Sequence, residues 1–224
     1  MKIGIVIAVS RELKSFLESE YVVETVEIDY RTVYKTRVNN NEIYAIQSGC
    51  GEIDASIASQ YLITKYNVEV ILNYGVAGAL IRDIEVSDLF VVWGAINHDL
   101  DTTAIDDVLP HQYCDLDTVE IPLDKEMMAL AKSIKPDLKE CLVASGDRFI
   151  EDVNDKKYLA SLGCAICDME IAGISRTCLL NNVKCLSIKC ISDTYDGDGS
   201  MFDENIKNSS NKAFNLLNKI IQTL

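Results

Sequence analysis

The chain has 224 residues, with 35 acidic and 21 basic side chains, a formal net charge of −14 at pH 7 and a pI near 4.5. Such a charge repels phosphate backbones and anionic lipid, so neither nucleic acid nor a membrane surface is an expected partner. At 48% hydrophobic the composition suits a globular core, and the longest apolar stretches, such as 3–9, fall far short of the ~20 residues of a membrane span.

The opening KIGIVIAVSREL reads as a strand over 3–9. It is not expected to be a leader, because its short apolar run contains Gly4 and leads into Arg11, Glu12, Lys14 and Glu18 without a cleavage pattern. Ser10 is expected to cap the following helix, with Glu12 at its second position, where exposed amides favour an acid. Val, Ile and Tyr-rich runs then predict strands at 21–28, 32–38, 42–48, 68–74, 89–96, 142–145, 164–168 and 184–192. Between them lie helical stripes: Leu13, Phe16 and Leu17; Ile53, Ile57, Tyr61 and Leu62; Met127, Leu130, Ala131 and Ile134; Ile171, Ile174 and Cys178; and Phe214, Leu217, Ile220 and Ile221.

This alternation predicts an α/β fold, and the three strands between 21 and 48, with no helix among them, predict an antiparallel meander within a mixed sheet. Three prolines and no linker-like tract place 1–224 in one domain. Eight cysteines without a leader point to reduced thiols and a cytoplasmic location, and the Cys164/Cys167 pair reads as buried core. The acidic run 193–200 fails as a calcium loop: counted from Asp196, Met201 stands where glycine is required and Lys207 where glutamate is required. It is expected to be a mobile loop. Gly49 and Gly51 read as close backbone packing.

In open α/β sheets ligands lie at the carboxyl ends of strands. The segments there are 8–12, 73–78, 145–150, 168–170 and 189–193, and they hold Glu12, Glu170 and Asp193. Taken singly, each carboxylate is as easily a helix or loop cap, and Phe149 as easily a core ring.

Taken together, KIGIVIAVSREL, QSGCGEIDASIAS, ILNYGVAGAL, NHDLDTTA, SGDRFI, CDMEIAGIS and KCISD resemble, in order and spacing, the purine nucleoside phosphorylase superfamily and within it the methylthioadenosine/S-adenosylhomocysteine nucleosidases. The resemblance implies a mixed, partly barrel-like central sheet flanked by helices, a homodimer, and cleavage of an adenine nucleoside at its N-glycosidic bond. By the same resemblance Asp193 is the acid to the purine and Glu12 the base that activates water. Glu170 would accept the ribose hydroxyls and Met169 pack on the sugar. Phe149 and Ile150 would hold adenine, and Ala77, Gly78, Ser192 and Lys189 would complete the substrate site. Ile105 and Pro110 would reach across to cover the 5′-substituent in the partner subunit. No metal or organic cofactor is implied.

The chemistry suits these residues. The bond breaks through an oxocarbenium-like state, adenine leaves when its ring nitrogen is protonated, and two carboxyls in different environments can hold and take a proton respectively. This chain departs from the family pattern at Val76, where serine is usual, at Lys189, where arginine is usual, and at Asp168, where glutamate is usual. Phosphate attack is the competing reading, with Arg11 as its cation, and a noncatalytic nucleoside-binding protein is a further one.

Overall fold

The computed structural model describes residues 1–28 and 31–224. Strand β1 (Lys2–Ile7) lies inside the sheet and is buried along nearly its whole length, as an unbroken KIGIVI run requires of a strand covered on both faces. It pairs in parallel with β4 (Asn41–Gln47) on one side and β5 (Val70–Ala79) on the other. The expected meander is present: β2 (Glu24–Ile28), β3 (Arg31–Val38) and β4 pair antiparallel in sequence.

Beyond β5 the sheet closes on itself. β5 pairs in parallel with β10 (Lys184–Asp193), β10 antiparallel with β6 (Leu89–Asn97), and β6 in parallel with β8 (Lys139–Ser145). β8 then pairs with β9 (Ile166–Asp168), which returns antiparallel to β5 through Gly78 and Cys167. Five strands thus form a ring, with β1, β4, β3 and β2 extending from it, in agreement with the expected mixed, partly barrel-like sheet. A two-residue strand β7 (Ile121–Pro122) adds to β6.

Among the described residues six helices cover this sheet: α1 (Ser10–Leu17), α2 (Glu52–Tyr66), α3 (Lys125–Ile134), α4 (Val153–Ser161), α5 (Ile171–Asn181) and α6 (Gly199–Thr223). Alternation along β1 sends Ile3, Ile5 and Ile7 into a core with Phe16 of α1 and Phe214, Leu217 and Ile221 of α6. Val6 points into a second core with Ala55, Ala58 and Leu62 of α2 and Ile171 and Ile174 of α5. The Phe16 and Phe214 rings meet edge to face at 6.1 Å and 85°, an arrangement worth about 0.5–1.5 kcal/mol beyond burial.

Four expectations need correction. Strand β5 continues through Ala79 instead of ending near 74, because β10 and β9 supply partners to its glycine-containing end. Helix α4 was not foreseen, and its weak apolar stripe is the reason. The cap of α1 is Val9, not Ser10, and Glu12 occupies the third helical position. The acidic run is not a free loop: Asp198 caps α6 through the Ser200 N–H at 3.0 Å, Asp196 pairs with Arg82, and the buried Lys156 ammonium donates to the carbonyls of Thr194, Tyr195 and Gly197. All eight cysteines are free, and Cys164 and Cys167 are buried as expected. Among the described residues no helix is long and apolar enough to cross a membrane.

Candidate active site

One cavity of about 250 Å³ opens where β1, β5, β9 and β10 end. Nine of the expected residues line it: Glu12, Ala77, Gly78, Phe149, Ile150, Met169, Glu170, Ser192 and Asp193. They come from five separate stretches of chain that only the sheet brings together.

Glu12 is held in place by backbone. Its Oε1 accepts the Val76 N–H at 2.9 Å and its Oε2 the Val9 N–H at 3.3 Å, while Tyr74 donates its hydroxyl to the Glu12 carbonyl at 2.8 Å. The carboxylate lies flat against β5 because position 75 is glycine: a Cβ there would sit 2.6 Å from Oε1. Burial raises the Glu12 pKa, and Lys189 and the two N–H donors pull against that rise.

Asp193 closes β10 in a similar setting with different partners. Ser192 donates its hydroxyl to Oδ1 at 2.7 Å, and a Cβ on Gly78 would sit 2.7 Å from Oδ2. Burial pushes this carboxyl upward, opposed by the Ser192 bond and by the charge of Lys156. With a single hydroxyl donor, where Glu12 has two backbone amides, Asp193 is the better placed of the two to keep a proton.

Glu170, the residue before α5, accepts the Gly51 N–H at 3.2 Å. Burial and the neighbouring Asp168 push its pKa up to about 8. Phe149 is half exposed and meets Phe202 nearly edge-on at 5.7 Å and 78°, leaving an aromatic wall beside Ile150. Arg11 lies over the Phe202 ring at 5.2 Å and pairs with Asp203 at 2.6 Å.

Three expected residues do not reach the cavity. Lys189 lies behind it, 2% exposed, with its ammonium 2.6 Å from Asp168 Oδ2. Its strand position turns it inward, toward the carboxylates that a buried cation must accompany. Ile105 and Pro110 sit on exposed surface outside the cavity of their own chain.

The sequence reading missed Phe202, Cys50 and Ala8 as lining residues, and it did not foresee the role of Lys156. Phe202 falls nine positions after Asp193 on a turn of α6 hidden behind the Asp and Gly run; no local signal marked it. Among the described residues no three His, Cys, Asp or Glu side chains are grouped to hold a metal ion.

This arrangement can bind a flat heterocycle beside a polyhydroxylated ring and move protons at both ends. A profile of the phosphorylase superfamily matches residues 2–222. The chain is 30% identical over its full length to 99% of an aminodeoxyfutalosine nucleosidase of Helicobacter pylori strain J99. It is 28% identical, over 99% of its length and all of the relative, to a 5′-methylthioadenosine/S-adenosylhomocysteine nucleosidase of Staphylococcus carnosus. Its fold superposes with a TM-score of 0.94 on a H. pylori methylthioadenosine/S-adenosylhomocysteine nucleosidase in complex with a pyrrolidine-based ligand, at 28% identity and covering 100% and 99% of the two chains. The TM-score is also 0.94 for the futalosine hydrolase of H. pylori strain 26695, at 27% identity and covering 100% and 98%. The chain belongs to the phosphorylase superfamily, among its nucleosidases.

Proposed function

We propose that the protein hydrolyses the N-glycosidic bond of an adenine nucleoside, releasing adenine and a ribose that keeps its 5′-substituent. The observation that carries this reading is the pairing of Glu12 and Asp193, two buried carboxyls in one cavity, each seated against a glycine of β5. Glu12 takes a proton from water as the water oxygen bonds to the anomeric carbon. The carbon–nitrogen bond breaks, and Asp193 delivers its proton to N7 of the departing adenine. Glu170 accepts the ribose hydroxyls, Met169 packs on the sugar, and Phe149 and Ile150 hold the base.

Water is favoured over phosphate by what surrounds the nucleophile. Glu12 occupies the Val76 N–H, so a dianion there would meet a carboxylate. Arg11, the cation that a phosphorylase would use, is turned toward Phe202 and Asp203. Lys189 is committed to Asp168.

Relatives act on aminodeoxyfutalosine and on methylthioadenosine or S-adenosylhomocysteine by name, so the 5′-substituent is of this range. In a homodimer Ile105, 84% exposed in the single chain, and Pro110 would cover that substituent in the partner subunit.

Chromatography of adenine and sugar products tests the reading, with methylthioadenosine, S-adenosylhomocysteine and aminodeoxyfutalosine supplied in phosphate-free buffer and then with phosphate. Adenine with the free sugar in both buffers is the expected result. Adenine only with phosphate, accompanied by a sugar 1-phosphate, would make it a phosphorylase, and saturable binding without adenine release would make it a binding protein.

A further inference from the structure

Behind the ribose end of the cavity lies a second group of acids that the reaction does not use directly. Ser145 of β8 sits between two of them: its Oγ is 2.5 Å from Glu52 Oε1 and 2.6 Å from Asp168 Oδ1. The same oxygen accepts the Ala172 N–H at 3.1 Å. A hydroxyl has one hydrogen to give, so only one of these carboxyls can accept from it; the other, to be bonded, must donate. Asp168 has the claim of an anion, since it faces the Lys189 ammonium at 2.6 Å and accepts the Ile171 N–H at 3.2 Å. Among the described residues no salt bridge of Glu52 is seen. Its second oxygen accepts the Gly173 N–H of α5.

We infer that Glu52 is a positioning residue held as the neutral acid, its proton donated to Ser145 so that Ser145 can donate to Asp168. In this role Glu52 fastens the start of α2 to β8 and α5. The start of α2 carries the Gly51 N–H that holds Glu170, so the neutral carboxyl sets the geometry of the ribose grip. Ionised, it would face the Asp168 carboxylate with only hydrogen-bond donors and the start of α2 to offset it.

The surrounding charges agree. Toward Glu52 come Asp168 from β9, Glu170 from the start of α5, and Asp147, which accepts the Glu52 N–H at 2.7 Å. Lys189 of β10 pairs with Asp168, Arg31 of β3 with Asp54 of α2, and Arg176 of α5 with Asp115. The α2 dipole favours the anion, but burial, first, and then Asp168 raise the Glu52 pKa to about 8.

The inference rests on the nucleosidase reading only for its kinetic consequence, and the spectroscopic and stability measurements stand without it. Glu52→Gln keeps a donor toward Ser145 and an acceptor for Gly173. Infrared difference spectra at neutral pH should show that this variant loses a protonated-carboxyl C=O band while the carboxylate bands stay. Loss of a carboxylate band instead overturns the proposal.

Because the folded pKa lies above the unfolded one, the wild type loses stability relative to Glu52→Gln as pH rises from 4.5 to about 8. A melting-temperature difference that stays constant across that range also overturns it. Should Glu52→Gln fail to fold, Ser145→Ala removes the acceptor, and the wild-type band must then shift; an unmoved band counts against the proposal. In turnover, Glu52→Ala should raise KM for the nucleoside at least tenfold with a smaller change in kcat, and Glu52→Gln should restore it. Equal failure of the two variants refutes the positioning role.

Discussion

Replacing Gly75 with alanine should disable Glu12, the proposed base, without unfolding the protein. The new Cβ would lie 2.6 Å from Glu12 Oε1, against the roughly 3.5 Å at which nonbonded atoms rest comfortably, so the carboxylate must retreat by roughly 1 Å. The backbone raises no objection, since Gly75 sits within β5 with no positive φ, and alanine is at least as good a strand residue. The obstructed atom is the tip of a flexible side chain, which can move at little cost to the fold. What is lost is the 2.9 Å bond from the Val76 N–H and the alignment of Glu12 on water. A misplacement of this size costs on the order of 100-fold in rate, or about 2.7 kcal/mol of transition-state stabilisation. Steady-state adenine release would be compared with thermal melting of the same preparation. A variant that melts like the wild type but loses on the order of 100-fold in kcat, with KM little changed, is the expected result. Turnover within about threefold of wild type would refute the claim that the glycine exists to seat Glu12.

Asp193→Asn should cut adenine release by about 10²- to 10⁴-fold while nucleoside binding, read by calorimetry, persists; near-normal turnover would remove Asp193 as the acid. The pH profile of kcat/KM should be a bell. In the proposed mechanism Glu12 works ionised and its pKa is raised by burial, so the acid limb should lie above pH 4.5, its ordinary value; Asp193 works protonated there, so its loss of a proton should set an alkaline limb above 3.8, its own ordinary value. An acid limb at or below 4.5 would contradict a buried base. Lys189→Met strips the cation from Asp168 in a site where both side chains are 2% exposed, and should destabilise the protein by about 3–5 kcal/mol in denaturant titration. A loss under about 1 kcal/mol, the range of surface pairs, would mean the pair is not sealed from water.

The carboxylates were legible because each follows an apolar run that can only be a buried strand: IGIVIAVS before Glu12 and CLSIKCIS before Asp193. A strand in the interior has to deliver its next polar residue at the sheet's end, and in this architecture that is where ligands go. The meander was legible for the same reason, as alternation without an intervening helix. What sequence could not show was where long side chains travel. The resemblance puts Lys189 in the substrate site and Lys156 looks like an ordinary surface lysine, yet the first runs inward to Asp168 and the second collects three carbonyls next to Asp193. Their burial is decided by which strands and helices meet, a tertiary matter with no local trace. Helix α4 was missed because its core-facing residues are Leu159 and the aliphatic stem of Lys156, too thin a stripe to register. Strand β5 was cut short because Gly75 and Gly78 suggest a turn, and only closure of the ring supplies the partners that keep them extended.

Strand β5 has one more consequence. Gly75 seats Glu12 and Gly78 seats Asp193, three residues apart on one extended segment, and a strand rises about 3.3 Å per residue. The two stations therefore stand roughly 10 Å apart along the backbone, a length fixed by peptide geometry and braced by β10 alongside. In the proposed reaction this interval acts as a ruler between base and acid. Side-chain rotamers can adjust the reach at either mark, but the interval between the marks belongs to the chain itself. On the proposed roles, a substrate must fit that interval to engage both carboxyls at once.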